Sequence, residues 1–148
     1  MRIEKVEPKH LFPVLELIKE GSGKLDTWGM GYKQHDAEHT FFIWRQHQIA
    51  YVLTDGEKVV GILAGLLAPY FLNYESVYFQ EILFYIRPEY QGKGGGPKLY
   101  KAVEAECKKR GVKKMIMAHT YKGNPEGFRK FYKRLGYKAF EVQYIKGL

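Results

Sequence analysis

Four glycines fall within five positions, Gly92 and Gly94 to Gly96, directly after Gln91 and before Pro97. The apolar run Leu83-Phe84-Tyr85-Ile86 precedes them and helix-forming residues follow. A helix start leaves its first N–H groups unpaired and its dipole favours negative charge there. Glycines let successive N–H groups turn toward one point and let a ligand approach the backbone. This pattern therefore fits a phosphate or pyrophosphate cradle, with Lys93 inside it, while a ligand-free flexible turn accounts for the glycines alone equally well. The loop lacks the lysine-plus-hydroxyl ending of a nucleoside-triphosphate loop, because Pro97-Lys98-Leu99 follows Gly96. It also departs from the dinucleotide pattern, since Pro97 stands where the third glycine belongs.

Other residues have chemical potential of different kinds. Glu81 interrupts a nearly apolar run, where burial would raise its pKa toward a range useful for moving protons; a structural ion pair is the alternative. His35 and His39 stand four apart beside Asp36 and Glu38, but they lack the metalloprotease pattern and a nearby cysteine, so no metal site is predicted. His119 reads as a strand end or an acceptor-side residue. Cys107, the one cysteine, falls on the apolar side of a helix and reads as packing, not as a nucleophile.

Those residues need elements to position them. Alternation predicts a short strand over 2–6, and helical spacing of Leu11, Val14, Leu15 and Ile18 predicts a helix that stops at Gly21. Residues 21–35 read as a glycine-rich loop or broken helix, and 36–47 as a helix with Asp36 as N-cap. Asp55-Gly56 marks a hairpin turn between two β-rich runs, the second ending at Pro69. Residues 76–86 read as a central strand covered on both faces. A helix over 97–110, a strand over 112–120, a helix from Asn124 with Pro125 at its first position, and a closing strand over 137–145 complete the order. The fold class predicted is α/β (or α+β): one domain, 1–148, with a mixed sheet and helices on both faces.

The chain has 148 residues and a formal charge of +8, enough length for a real core and a surface that attracts anions. A single cysteine excludes an internal disulfide and suits a cytoplasmic setting. The start lacks the apolar stretch of a signal peptide, and the longest apolar run, 59–68, is too short to span a bilayer, so no membrane partner is expected.

Taken together, Gln91-Gly92-Lys93-Gly94-Gly95-Gly96, the preceding "EILFYIRPEY" and the later "FRKFYKRLGYK" resemble the pyrophosphate loop, fourth strand, and fourth helix with its following strand of the GNAT superfamily of N-acetyltransferases. The resemblance covers residues 76–140 by motif and the whole chain by order of elements. It implies a sheet whose fourth and fifth strands splay apart to admit acetyl-CoA or another acyl-CoA. It also implies pyrophosphate binding by the N–H groups from Gln91 to Gly96, and pairing of the pantetheine arm with the strand edge at Phe84, Tyr85 and Ile86. Lys93, Lys98 or Arg129 would steer the anionic donor. Glu81 matches the position of a glutamate that accepts the amine proton. Tyr132 matches the tyrosine near the cofactor sulfur, whose hydroxyl would donate to the departing thiolate; a core aromatic is its alternative. Asn124 matches an asparagine that contacts pantetheine, and capping the helix is its other reading.

The implied reaction is direct transfer of an acetyl group to a primary amine of a small molecule or peptide. Its recognition falls to residues 23–35 and 68–78, where Trp28, Tyr32, Tyr70, Phe71 and Tyr74 are candidate pocket walls. A homodimer is compatible with this reading. Two other classes stand beside it: a CoA-binding sensor without catalysis, and a basic nucleic-acid module using the interleaved lysines and tyrosines of 98–101 and 128–138. No nucleic-acid motif accompanies those residues.

Overall fold

The structure, a computed structural model, describes residues 1–25 and 28–148. Among these residues, five strands lie in sequential order: β1 (Arg2–Lys5), β2 (Ile49–Asp55), β3 (Lys58–Tyr70), β4 (Asn73–Ile86) and β5 (Lys114–Ile116). The first three pairings are antiparallel and β4–β5 is parallel. Helices α1 (Leu11–Leu25) and α2 (Gln34–His47) cover one face; α3 (Gly95–Lys109) and α4 (Pro125–Arg134) lie against the other.

Each face has its own core. Val14, Leu17, Phe41 and Trp44 pack on Val52, Ile62 and Tyr85. Leu99, Val103 and Cys107 pack on Leu53, Leu63 and Phe79, with Phe131 of α4 against them. Burial of both sheet faces explains the continuous apolar run of β3, buried from Val59 to Gly65, since helices on both sides leave little solvent to alternate toward; β4, expected to be covered on both faces, is fully buried only at Phe79 and Tyr85.

Several boundaries differ from the sequence expectation for identifiable reasons. Gly21 does not stop α1. It is buried, and a Cβ there would lie 3.4 Å from the ring of Tyr85, so this glycine permits close helix-to-sheet packing. Lys33, not Asp36, is the N-cap of α2, and Asp36 stands inside the first turn, where its charge still favours the helix dipole. The α3 helix begins two residues earlier than expected. Pro69 does not end β3, whose pairing with β2 stops at Gly65. Beyond that point, among the described residues, no strand flanks this side, so a missing N–H is tolerated.

The largest difference is at the end of the chain. Residues 137–145 form no strand; everything after Arg134 lacks regular secondary structure.

Two features of β4 position the site. First, its pairing with β5 covers only Tyr78–Lys114, Phe79–Met115 and Gln80–Ile116, yet β4 continues to Ile86. The edge from Glu81 to Ile86 is therefore left without a strand partner on the β5 side, which is the splay that the family resemblance implied. Second, β3–β4 register jumps from Ala64–Leu83 to Gly65–Glu81, leaving Ile82 as a bulge. The bulge reverses the alternation: Phe79 and Phe84, an odd number of residues apart, both pack on the α3 face, whereas Leu83 and Tyr85 pack on the α1 face. Gly65 makes this possible, because a Cβ there would collide with the Gln80 carbonyl and the Phe79 ring.

Candidate active site at the β4–β5 split

The glycine loop lies at the end of β4, turned by a short 3-10 segment at Pro88–Tyr90. Gly92 (φ 73°) and Gly94 (φ 79°) are left-handed, a conformation that strains side-chain-bearing residues. Gly94 is the N-cap of α3. Gln91 Nε2 donates to the Ile86 carbonyl at 2.8 Å and ties the loop to the strand. Among the described residues, no backbone hydrogen bond uses the N–H of Gly92, Lys93 or Gly94. With the first-turn N–H groups of α3, these donors remain for an anion. Gly95 has a different task. It is buried against Leu53, which a Cβ would strike, so α3 starts directly on β2.

The splay brings Glu81 and Tyr132 to one peptide segment. Beyond β5, Ala118 donates its N–H to Glu81 Oε2 at 3.2 Å, and the Tyr132 hydroxyl donates to the Ala118 carbonyl at 2.9 Å. Desolvation pushes the Glu81 carboxyl up to about 7, partly offset by the Ala118 hydrogen bond. Burial, reinforced by the nearby Glu81 charge, raises the Tyr132 phenol well above its usual range, so it holds its proton at neutral pH. Tyr132 is buried among Phe128, Phe131 and Tyr137. His119, next along, is half-buried and its ring lies nearly parallel to that of Phe128.

The remaining predicted residues are distributed as follows. Phe84, Tyr85 and Ile86 line the part of β4 without a partner on the β5 side, with Phe84 edge-on to Phe128. Asn124 caps α4, its Oδ1 accepting the Gly127 N–H at 3.0 Å. Lys93 lies over the Tyr90 ring, Arg129 pairs with Glu126, and Lys98 is exposed. Cys107 is buried and its thiol is pushed up to about 12, mainly by desolvation, so it carries no thiolate at neutral pH. His35 and His39 are both exposed on α2.

Tyr100 and Tyr132 are buried, and Tyr100 shares a hydrogen bond with Tyr137 at 3.0 Å. Those rings serve the core and offer no stacking surface to a nucleic acid. Of the expected acceptor walls, Tyr70, Phe71 and Tyr74 are exposed around the tip of the β3–β4 hairpin. Trp28 is exposed on the α1–α2 connection, and residues 26–27 of that stretch lie outside the described residues. The Tyr32 hydroxyl is buried there with no hydrogen-bond partner among the described residues. A hollow of about 290 Å³ opens instead between α1, α2 and β4, lined by Ile18, Ser22, Ala37, Thr40, Trp44, Ile82 and Leu83.

Residues 21–137 match the acetyltransferase (GNAT) family. The chain belongs to that family. Its fold is shared with the ribosomal-protein-alanine N-acetyltransferase of Brucella melitensis biovar Abortus, at 18% identity and TM-score 0.78 over 99% of this chain and 98% of that one. It is shared too with glucosamine-6-phosphate N-acetyltransferase of Arabidopsis thaliana, at 18% identity and TM-score 0.74 over 99% and 97%. A predicted acetyltransferase from Clostridium acetobutylicum, solved with acetyl-CoA, superposes at 12% identity and TM-score 0.79 over 99% and 95%. No curated protein sequence matches the chain. Among the described residues of this GNAT acetyltransferase, no helix is long and apolar enough to cross a membrane.

Sequence reasoning missed three features of this acetyltransferase. Ala118 acts through its backbone, which leaves no mark on residue type. The bulge at Ile82 had a faint signal in Gly65, a glycine inside a strand pattern. Arg87 was passed over as the end of a strand. Its guanidinium makes a bidentate contact with Glu20 at 2.8–3.1 Å and fastens α1 to the end of β4 beside the glycine loop.

Proposed function

We propose that residues 1–148 act as one N-acetyltransferase domain that moves an acetyl group from acetyl-CoA to a primary amine by direct attack. The observation that carries this reading is the convergence of Glu81 and Tyr132 on Ala118, beside the part of β4 left without a strand partner. Acetyl-CoA supplies an activated acetyl thioester. The geometry fits such a donor: left-handed glycines and free N–H groups at the start of α3 suit a pyrophosphate, and the Phe84–Ile86 edge suits an amide-bearing arm. Gln91 to Gly96 would hold the diphosphate, Phe84 to Ile86 the arm, and Asn124 would add a contact from its amide nitrogen, since its oxygen is engaged.

Glu81 acts as base. A carboxyl with a pKa of about 7 is deprotonated in a useful fraction at neutral pH and still basic enough to take a proton from an ammonium or attacking amine. Tyr132 acts as acid. Its phenol keeps its proton, bonds to the same residue that holds Glu81, and exchanges the Ala118 carbonyl for the departing sulfur. As the amine nitrogen bonds to the acetyl carbon, the carbon–sulfur bond breaks; one proton goes to Glu81, the thiolate takes one from Tyr132, and solvent then carries the Glu81 proton back to the Tyr132 phenolate, restoring both groups. Buried Cys107 is not needed, which supports attack without an acyl-enzyme and accords with a reducing, cytoplasmic setting.

The acceptor is a small molecule or peptide. The hollow beside Ile82 and Leu83 supports approach of the amine between α1 and α2, with apolar substituents against Ile18 and Trp44. The test is an amine panel incubated with acetyl-CoA and read by mass spectrometry. A gain of one acetyl group, lost in Glu81→Gln and Tyr132→Phe, is expected. Acetyl-CoA binding without acetylation of any amine would favour a sensor and overturn the catalytic reading.

A further inference from the structure

Helix α1 runs past its apolar anchors. Val14, Leu15 and Leu17 are buried, and Ile18 packs partly on the same core. Beyond Ile18, Lys19 and Ser22 are exposed, and Gly21 and Gly23 bring no side chain. Glycine is a poor helix former, so the sequence after Ile18 supports a helix weakly. Yet the stretch is helical through Leu25. Its shape has a consequence for the acceptor hollow, because Ile18 and Ser22, one turn apart, form the α1 wall that faces Ile82, Leu83 and Trp44.

Arg87 grips this weak stretch. Its Nε donates to both oxygens of Glu20 at 3.1 Å, and its Nη2 donates to Glu20 Oε1 at 2.8 Å. The Glu16 carboxylate lies 3.8 Å from the same Nη2. The Arg87 side chain is only 11% exposed, so these charge-assisted bonds are largely shielded from water. A two-pronged contact fixes orientation as well as distance. At about 100° per residue, Glu20 stands about 200° round the helix from Ile18. The guanidinium therefore holds one flank of α1 while the opposite flank faces the hollow. Gly21, between them, lies against the Tyr85 ring.

Arg87 stands four residues before Gln91, where a guanidinium could meet a phosphate. The contacts assign it another task. We propose that Arg87 is a positioning residue for the amine: paired with Glu20, it keeps the last turns of α1 helical, sets the α1 wall of the acceptor hollow, and leaves the donor's phosphates to the glycine loop. This rests on the reading of that hollow as the acceptor site. The loop has supports that do not use the Arg87 side chain. The Arg87 N–H bonds to the Val60 carbonyl at 2.9 Å, its carbonyl accepts from the Tyr90 N–H at 2.9 Å, and Gln91 is tied to Ile86 and Pro88. Glu81 and Tyr132 meet at Ala118, beyond β5, and no contact of Arg87 or Glu20 among the described residues reaches them. Loss of the pair should therefore disturb the amine's wall and spare both the donor and the chemistry.

The test compares Arg87→Gln, Glu20→Gln and the exchanged pair Glu20→Arg/Arg87→Glu with the wild type. Three measurements are made: hydrogen exchange by mass spectrometry, calorimetry with acetyl-CoA, and steady-state kinetics on the amine that the panel acetylates best. In both single variants the amides of 19–25 are expected to exchange about tenfold faster, with those of 14–17 unchanged. The amine KM should rise about tenfold, while kcat and the acetyl-CoA Kd stay within about threefold. The exchanged pair should recover most of both losses. Arg87→Lys keeps the charge without the fork, is expected to fall between wild type and Arg87→Gln, and decides the matter if the exchanged pair does not fold. Acetyl-CoA affinity weakened about tenfold with the amine KM unmoved would put the guanidinium at the donor's phosphates and overturn the proposal. Unchanged exchange at 19–25, or a loss of kcat without a change in KM, would overturn it equally. If no amine is acetylated, the catalytic reading fails by itself, and exchange at 19–25 together with acetyl-CoA calorimetry still decides this one.

Discussion

Glu81 and Tyr132 are joined through a single residue. Ala118 gives its N–H to the carboxylate at 3.2 Å and receives the phenol proton on its carbonyl at 2.9 Å. The two side chains come from a strand and a helix 51 positions apart in the sequence. Each is raised in pKa chiefly by desolvation, so the pair stores one titratable proton and one retained proton near neutrality. Their placement depends on a bulge at Ile82 and on a peptide segment that leaves the sheet after Ile116.

Replacing Glu81 by Gln is expected to lower kcat by about 10²–10⁴-fold, the usual worth of a positioned general base. The wild-type rate should rise with pH through about 7 as the carboxylate forms, and this limb should flatten in the variant. A pH series of initial rates, with acetyl-CoA saturating, makes the comparison. An unchanged limb would reassign it to the amine itself.

Glu81 also carries a stability signature of known sign. Its folded pKa of about 7 lies above the ordinary 4.5, so the folded state binds more protons between those values. Stability therefore falls as pH rises from about 4.5 to about 7, by a few kcal/mol at most. Glu81→Gln should remove that slope. Urea melts at several pH values, in matched salt, would show it.

For Tyr132→Phe, turnover should fall more than acetyl-CoA affinity. The ring and its packing on Phe128 and Tyr137 remain, and only the proton is lost. The Ala118 carbonyl loses its donor, at a cost of about 1 kcal/mol of stability. Stopped assays for thiol release, together with calorimetry of acetyl-CoA binding, separate the two effects. Wild-type turnover in this variant would remove Tyr132 from the acid role.

Gly95→Ala should destabilise by roughly 1–3 kcal/mol, because the new methyl meets Leu53 and pushes the start of α3 off β2. The same displacement should weaken acetyl-CoA binding, since the N–H groups of the first turn move with it. Leu53→Ala in the Gly95→Ala background should restore part of the binding relative to Gly95→Ala alone. Thermal melts and calorimetry on the four-protein cycle test the coupling.

Gly65→Ala probes the bulge. A methyl there collides with the Gln80 carbonyl and the Phe79 ring, so β4 must shift where Glu81 is set. Expected are a loss of about 1–3 kcal/mol by thermal melting and a kcat decrease larger than any change in acetyl-CoA binding. Normal kcat with normal stability would show that the strand accommodates the methyl without moving Glu81.

Residue types and spacing alone determined the order of elements through α4, the glycine loop, the helices on both faces, the Asn124 cap with Pro125 behind it, and Glu81 as a candidate; Tyr132 stood out only through the resemblance to the family. These were legible because they are local: periodicity, turn residues and caps act over a few positions, and a carboxylate in an apolar run stands out without knowledge of its neighbours. Packing decided the rest. Whether Gly21 ends a helix or admits Tyr85, and whether Pro69 breaks β3 or sits where no strand faces it, depends on what lies across from each residue. The bulge at Ile82, the Glu20–Arg87 pair and the role of Ala118 depend on distant segments meeting. Residues 137–145 mark the limit most clearly. Their alternation encodes the ability to form a strand, but a strand exists only when another supplies hydrogen bonds, and that partner is set by tertiary structure.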